Sequence, residues 1–213
     1  MIPEERFASF LMSLEPEGTE WLAELEQEAL AGAVPVIRKE TQQLLRFLVK
    51  AFRPERILEV GTAVGFSALF LWEASGRQAQ ITTIENYEKR IPLARANFEK
   101  YGAARQIRLL EGDAVGVLPA LAGSYQMVFM DAAKGQYPAF LPEVTRLLQP
   151  GGILVTDNVL QEGALLESRY AVVRRDRTIH ARMRDYLYEL THSEDYDTAV
   201  LQAGDGVALS VRK

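Results

Sequence analysis

Two short acidic segments, each following an apolar run, are the part of this sequence best suited to bind a metal ion. Asp131 closes the run Gln126–Asp131, and Asp157 closes the run Gly152–Asp157 and is followed by Asn158. If both runs are neighbouring strands, two carboxylates and one amide oxygen meet, a set that suits Mg²⁺ or another divalent cation. An isolated Asp-Asn pair is also a common turn or cap, so the metal interpretation depends on the two segments lying side by side.

A glycine-bearing turn follows another apolar run. The segment Ile57–Ser67 has the pattern of a buried strand, a turn with Gly61 and Gly65, and the start of a helix. Glycines let the backbone approach a ligand closely, and open α/β sheets bind ligands at the carboxyl ends of their strands. Position 63 is Ala63 rather than the second glycine of G-x-G-x-x-G, which disfavours a dehydrogenase. A tight turn without a ligand is the alternative.

Two further acids end the next two predicted strands. Glu85 lies roughly twenty residues past the glycine turn, where a carboxylate can accept hydrogen bonds from ribose hydroxyls. Asp113 is placed to accept from an adenine amino group, and Ala114 leaves room for the ring. Either acid alone could instead cap a helix, but their positions at successive strand ends favour an adenosine-containing cofactor.

The elements that position these residues alternate between short apolar runs and amphipathic segments, which is typical of βα units around a parallel sheet. Near the end, Thr198–Gln202 and Gly206–Val211 flank the turn Ala203-Gly204-Asp205 and indicate an antiparallel hairpin. Five parallel strands and a hairpin predict a seven-stranded, class I, Rossmann-like methyltransferase fold. The predicted strands are Arg56–Gly61, Gln80–Glu85, Gln106–Glu111, Gln126–Asp131 and Gly152–Asp157, and the predicted helices are Ser67–Ala74, Tyr87–Tyr101, Tyr137–Leu148 and Thr178–Thr191.

The whole chain is expected to form one domain, residues 1–213, in which residues 1–52 are helices and residues 53–213 are the Rossmann-like core. We expect the helices to pack beside the sheet or against a second subunit. They are indicated by apolar residues at helical spacing, namely Leu22, Leu25, Ala29 and Leu30, then Leu44, Leu45, Leu48 and Val49.

Composition and charge exclude several classes of protein. The net charge of −5 gives no global attraction to nucleic acid or to anionic membranes, so any RNA binding must be local. The chain has no cysteine, which excludes disulfides, thiolate metal sites and cysteine nucleophiles. Residues 1–10 contain Glu4 and Glu5 and lack a long apolar stretch, so we expect a cytoplasmic protein with no membrane anchor.

Three motifs make the chain resemble the cation-dependent catechol/caffeoyl-CoA O-methyltransferase family: Glu59–Ser67, Asp131–Tyr137 and Asp157–Leu160. The resemblance covers nearly the whole chain and implies a homodimer. It also implies S-adenosylmethionine contacts at Ile37, Gly61, Ser67, Glu85, Asp113, Ala114 and Asp131, and metal ligation by Asp131, Asp157 and Asn158. Lys134 matches a proposed general base. Thr41 is a departure, because many relatives have glycine there.

The implied reaction is an in-line methyl transfer from a sulfonium to an oxyanion, and a bound dication both favours and orients that oxyanion. Asp131 and Lys134 are the expected catalytic residues. Lys134 would take the proton in its neutral form, which a nearby cation favours. A solvated surface lysine is the alternative.

Within that family the chain most closely resembles the bacterial tRNA 5-hydroxyuridine methyltransferases. The similar segments are Tyr137–Asn158, Arg182–Arg184, Asp195–Ala199 and Gly204–Gly206. A 5-hydroxyuracil can chelate a metal through its 5-hydroxyl and 4-carbonyl much as a catechol does. The resemblance therefore implies methylation of wobble 5-hydroxyuridine to 5-methoxyuridine. Methylation of small catechol-like phenols is the runner-up, and a non-catalytic nucleotide-binding protein is a third interpretation.

A tRNA substrate would need a local basic surface, and positive charge concentrates before and along the last predicted helix. Its residues are Arg174, Arg175, Arg177, His180, Arg182 and Arg184. Arginine forks suit phosphate, so we expect these arginines to bind the anticodon stem-loop around an unstacked nucleotide. A solvated or ion-paired helix face is the alternative.

Overall fold

The computed structural model describes residues 19–213, together with residues 6, 9, 10, 13 and 14. Most of the first ten residues, on which the expectation about an anchor depends, lie outside this set. The strands are β1 (Arg56–Val60), β2 (Gln80–Glu85), β3 (Ile107–Glu111), β4 (Tyr125–Met130), β5 (Leu148–Thr156), β6 (Tyr196–Leu201) and β7 (Val207–Arg212). From residue 19 onward, the helices are α1 (Glu20–Ala31), α2 (Lys39–Phe52), α3 (Phe66–Ala74), α4 (Ile91–Lys100), α5 (Ala114–Val117), α6 (Tyr137–Leu147) and α7 (Arg177–His192).

The seven strands form one sheet in the order β3-β2-β1-β4-β5-β7-β6. Strands β1 to β5 are parallel, and β7 runs antiparallel to both β5 and β6. The predicted class I architecture with its terminal hairpin is confirmed. Because the order reverses between β1 and β4, a crevice opens at the carboxyl ends of these central strands.

Alternating side chains of the central strands fill two cores, one on each face of the sheet. On β1, Ile57 belongs to the core beneath α1 to α4, and Leu58 belongs to the core beneath α5 to α7. The N-terminal helices contribute Leu22, Leu25 and Leu45 to the first core and contact α3. They therefore pack beside the sheet. No helix among the described residues is long and apolar enough to span a membrane.

Two elements begin four residues away from their predicted first residues, one later and one earlier. Helix α4 begins at Ile91 rather than Tyr87, because Pro92 occupies its first turn and the residues before it form a separate turn. Strand β5 begins at Leu148 rather than Gly152. Leu148 pairs with Tyr125, and the register of the β4–β5 pair shifts after this position. The Pro-Gly-Gly stretch, which suggests a turn in the sequence, is therefore part of the strand.

Candidate active site

A cavity of about 950 Å³ lies at the carboxyl ends of β1, β2, β4 and β5. This volume is at the upper end of the usual ~300–1,000 Å³ range of ligand pockets, so a cofactor and a substrate ring could share it. Most predicted cofactor, metal and catalytic residues line its wall: Ile37, Gly61, Ser67, Glu85, Ala114, Asp131, Lys134, Asp157 and Asn158. Asp113 is the exception.

Asp113 is exposed and caps the short helix α5. Its Oδ1 accepts a hydrogen bond of 2.9 Å from the backbone N–H of Val115. The helix-cap alternative considered for this residue is therefore what the structure shows. Its contact with an adenine amino group stays a prediction, for which the second carboxylate oxygen is available.

Glu85 is buried, and three backbone N–H groups fix its carboxylate. Oε2 accepts from Ala63 at 2.7 Å, while Oε1 accepts from Asn86 at 3.0 Å and Tyr87 at 2.8 Å. A carboxylate has about four acceptor positions, so capacity remains for a ribose hydroxyl. The bond to Ala63 also stabilises that alanine in a left-handed conformation, φ 47°, which alanine rarely adopts.

Gly61 brings the end of β1 into contact with the end of β4. A Cβ atom on this residue would lie 2.1 Å from the backbone carbonyl oxygen of Asp131, and its φ of +105° also favours glycine. The glycine turn is thus required for the approach of two strands. The same approach aligns the predicted cofactor turn with the predicted metal site.

Asp131 and Asp157 lie directly after the paired residues Met130 and Thr156 of β4 and β5. The pKa of Asp157 is raised to about 7, mainly by burial and then by the negative charge of Asp131. Burial also raises the pKa of Asp131, and the charge of Lys134 opposes that rise. Two acids that disfavour each other's ionisation inside one cavity are well suited to share a cation.

The oxygen atoms of these residues fit a hard divalent cation. Asp157 Oδ1 accepts from the N–H of Asn158 at 2.8 Å and from Thr41 Oγ1 at 3.3 Å, which leaves Oδ2 without a donor among the described residues. The Asp131 carboxylate likewise accepts no hydrogen bond from them. Asn158 has φ 56°, a strained conformation that asparagine tolerates and that recurs at functional sites. Among the described residues, no three His, Asp or Glu side chains form a group that could hold a metal, so a third protein ligand would have to be of another type, such as the amide of Asn158.

Tyr137 positions both acidic loops, a role that sequence reasoning missed. Its hydroxyl accepts from the N–H of Ala132 at 3.2 Å and donates to the carbonyl of Asp157 at 3.4 Å. The side chain is fully buried, and burial raises its pKa well above the ordinary value, so the hydroxyl stays protonated. The aromatic residue within the Asp131–Tyr137 motif was the available signal, but nothing in its spacing indicated the contact with Asp157.

Lys134 extends into the cavity from a single 3₁₀ turn. Its Nζ lies 3.7 Å from Oδ2 of Asp205, a buried acid in the turn between β6 and β7. The backbone N–H of Glu162 donates to Oδ1 of the same acid. Arg182 Nη1 donates to the Gly135 carbonyl at 3.0 Å and so stabilises the turn that carries Lys134.

Glu59, like Asp205, is a buried acid to which the sequence analysis assigned no chemical role. It lies on β1, and the hydroxyl of Thr83 on β2 donates to it. Burial raises its pKa to about 7, and the nearby hydroxyls of Ser67 and Thr83 partly offset that rise. An acid between the apolar residues Leu58 and Val60, just before the glycine turn, was the sequence feature that could have indicated this buried carboxyl group.

The five predicted RNA-binding arginines fall into two groups. Arg177 donates to the carbonyls of Val172 and Tyr170, at 3.1 and 3.3 Å, and Arg182 donates to Gly135, so these two hold the local backbone. The other three arginines are exposed and donate to no carbonyl among the described residues. Arg174 and Arg184 have no partner among the described residues, and Arg175 makes only a 3.6 Å surface pair with its neighbour Asp176.

Comparison with known proteins agrees with the fold and identifies the family. A family model described as O-methyltransferase matches residues 12–213. A catechol O-methyltransferase of Mycobacterium tuberculosis is 35% identical over 139 residues, which span 64% of this chain and 63% of that protein. A catechol O-methyltransferase of Niastella koreensis is 30% identical over 169 residues, spanning 76% of this chain and 75% of that protein.

The fold has a counterpart among solved structures. The SAH-bound methyltransferase PaMTH1 of Podospora anserina superposes with a TM-score of 0.88 at 26% identity, covering 100% of this chain and 97% of that chain. The similarity therefore extends from the sheet to the helices on both of its faces. Taken with the family match over residues 12–213, it shows that this chain belongs to the O-methyltransferase family and has catechol O-methyltransferases among its relatives.

Proposed function

We propose that this chain transfers the methyl group of S-adenosylmethionine to one of two adjacent oxygens on a substrate ring. One observation carries the proposal: two carboxylates and an amide lie in the same cavity as the glycine turn and Glu85. The first group provides ligands for a cation, and the second provides a turn and an acceptor for an adenosine. SAH in the PaMTH1 structure supports the methyl donor.

Asp131, Asp157 and Asn158 would hold the divalent cation, with Mg²⁺ as the proposed ion. When bound, the cation lowers the pKa of the substrate hydroxyl and orients both ring oxygens. Glu85 fixes the donor by accepting from its ribose, and the bare backbone at Gly61 lets the donor approach the sheet. Asp131 lies between the two halves of the site and is proposed to contact both.

Lys134 is the proposed proton acceptor. The substrate O–H gives its proton to Nζ of Lys134 in its neutral form, the oxygen forms a bond to the methyl carbon, and the carbon–sulfur bond breaks with its electron pair staying on sulfur. The products are the methyl ether, S-adenosylhomocysteine and a protonated lysine. Asp205, 3.7 Å from Nζ, holds the lysine side chain in place. Positioned general bases of this kind typically contribute ~10²–10⁴-fold to the rate.

For the acceptor we propose 5-hydroxyuridine at the wobble position of tRNA. Its support is the motif resemblance described above and the exposed Arg174 and Arg175, which lie in the chain between Val173 and Asp176 of the cavity wall. A small catechol is the second candidate, favoured by the two catechol O-methyltransferases among the relatives. Both acceptors present two adjacent oxygens to the same site.

Parallel assays with each acceptor distinguish the two candidates. Purified protein, S-adenosylmethionine and Mg²⁺ are incubated with tRNA that carries 5-hydroxyuridine or with catechol, and the products are quantified by mass spectrometry. We expect 5-methoxyuridine to form with the higher kcat/KM. Loss of 5-methoxyuridine and accumulation of 5-hydroxyuridine in tRNA from cells that lack the protein would agree. Catechol methylation with unmodified tRNA would establish the second candidate, and no transfer to either would refute both.

The exposed apolar side chains of the N-terminal helices lead us to propose a homodimer. Leu30 on α1 is 57% exposed, and Phe47 on α2 is 68% exposed. Large apolar side chains that remain in water on neighbouring helices favour association. Sedimentation at micromolar protein should detect dimers, and monomers alone would contradict the proposal.

A further inference from the structure

A buried hydroxyl from the N-terminal helices reaches the proposed metal site. Thr41, in the first turn of α2, is fully buried, and its Oγ1 donates to Oδ1 of Asp157 at 3.3 Å. The two residues are 116 positions apart in the chain. The carbonyl of Ile37, one helical turn earlier and the usual acceptor for such a threonine, already accepts from Gln42 at 2.9 Å.

We propose that Thr41 is a positioning residue that turns the Asp157 carboxylate so that Oδ2 faces the cation. Two donors, Thr41 and the N–H of Asn158, converge on Oδ1. A carboxylate held at one oxygen by two hydrogen bonds has little rotational freedom, so the other oxygen is presented to the cavity. This inference rests on the proposed function, because it assigns the orientation of a ligand in the proposed metal site.

The turn between β6 and β7 is shaped around this hydroxyl. A Cβ atom on Gly204 would lie 2.8 Å from Thr41 Oγ1, closer than normal contact, and Gly204 adopts φ +57°. A side chain there would displace the hydroxyl from Asp157. The absence of a side chain at Gly204 therefore leaves the space that the hydroxyl of Thr41 occupies.

Polar contacts between α1 and α2 fix the position of Thr41. Glu26 on α1 accepts from Gln42 at 2.9 Å and from Lys39 at 2.6 Å, so the first turn of α2 is held on both sides of Thr41. The N-terminal helices thereby determine where the hydroxyl lies. The inferred role gives these helices a direct part in ordering a metal ligand.

The test compares Thr41→Val, which removes the hydroxyl but keeps the shape, with Thr41→Ser, which keeps the hydroxyl. Calorimetry measures Mn²⁺ affinity in the presence of SAH. Thr41→Val is expected to weaken it by ~10-fold or more, as is typical when a residue that orients a ligand is lost, and Thr41→Ser should stay near the wild-type value. Thr145→Val is the matched control, because it removes a half-buried hydroxyl bonded to Tyr196, outside the cavity.

Thermal unfolding of the metal-free variants separates positioning from packing. If Thr41→Val and Thr145→Val lower the Tm alike and both bind Mn²⁺ as the wild type does, the hydroxyl only stabilises the fold and the inference is overturned. Gly204→Ala provides a second route should Thr41→Val not fold. It retains the hydroxyl but displaces it, and the expected result is again weaker Mn²⁺ binding, whereas unchanged binding would overturn the inference.

Asp157→Asn distinguishes failure of this inference from failure of the proposed function. If the wild-type protein binds no Mn²⁺, or Asp157→Asn binds it equally well, the metal site is wrong and the role of Thr41 falls with it. If Asp157→Asn loses Mn²⁺ while Thr41→Val binds it normally, the proposed function stands and only the positioning role is refuted.

Discussion

Asp131 and Asp157 lie at the ends of two neighbouring parallel strands, each one residue beyond the paired positions Met130 and Thr156. Burial and then the charge of Asp131 raise the pKa of Asp157. Such a pair is destabilised when both acids are ionised and no cation is present. The same proximity becomes favourable when a dication lies between them. The proposed chemistry depends on this relationship.

Replacing Asp157 with asparagine should therefore remove the metal dependence of the reaction. We expect methyl transfer to fall on the order of 100-fold or more, because a ligand of the catalytic cation has lost its charge. The measurement is initial rate against Mg²⁺ concentration at saturating donor. Asp185→Asn, on the exposed face of α7, controls for the change in net charge. Full activity with an unchanged Mg²⁺ curve would show that the coordination set is wrong.

Lys134 can be tested as a proton acceptor with two substitutions. Lys134→Met should lower kcat by ~10²–10⁴-fold and leave the affinity for S-adenosylmethionine unchanged. Lys134→Arg keeps the positive charge near Asp205, but arginine does not give up its proton, so kcat should fall in this variant as well. Single-turnover rates report the chemical step. Wild-type rates in Lys134→Arg would mean that the residue supplies charge rather than accepting the proton.

The two groups of arginines should behave differently toward a tRNA substrate. Combined replacement of Arg174, Arg175 and Arg184 by alanine should weaken tRNA methylation and flatten its salt dependence, since fewer phosphates are contacted. Methylation of free catechol should be unaffected. Arg182→Ala should impair both substrates, because Arg182 supports the turn that carries Lys134. An equal loss on both substrates in the triple variant would argue against phosphate binding.

Glu59 should make the stability of the metal-free protein depend on pH. Its pKa rises from the ordinary 4.5 to about 7 in the folded chain, mainly through burial, so the folded state binds the proton more tightly. The resulting stabilisation is complete below pH 4.5 and is lost as the pH rises through 7. For a shift of this size the loss is about 3 kcal/mol at most, at ~1.4 kcal/mol per pKa unit.

Glu59→Gln should remove that contribution, so its free energy of unfolding should fall less than that of the wild type between pH 5 and pH 8. Denaturant titrations at the two pH values measure the difference. The control is Glu99→Gln, on the exposed face of α4, whose side chain has no partner among the described residues. Identical pH dependence in Glu59→Gln would show that this acid titrates normally.

Much of the site could be predicted from the acidic residues that end the apolar runs of the sequence. Parallel strands place their carboxyl ends together, so the sequence alone assigns Asp131, Asp157 and Glu85 to one edge of the sheet. The structure brings all three to one cavity. The mostly parallel sheet with a terminal hairpin followed from the same pattern, because alternating βα units and two closely spaced final strands leave few topologies open.

Contacts made by single side chains could not be predicted in this way. The bonds of Thr41 and Tyr137 to Asp157 depend on how α2 and α6 dock against the sheet, and hydrophobic periodicity does not report that orientation. Arg177 and Arg182 were assigned to RNA by charge alone, yet their acceptors are backbone carbonyls that carry no sequence signal. Asp113 has a cap role that its residue type allowed equally well.

The missing side chain of Gly61 lets the ends of the neighbouring strands β1 and β4 touch. This contact separates two sides of the pocket that are built from different parts of the chain. Apart from Asp131, which is proposed to contact both sides, the residues proposed for the methyl donor come before β4 in the chain. Lys134, Asp157 and Asn158, proposed for the acceptor and its cation, come after it. Insertions or exchanges in the later loops would alter what is methylated and leave the donor side intact. Such an arrangement lets one ancestral scaffold diversify toward new acceptors while retaining a single source of methyl groups.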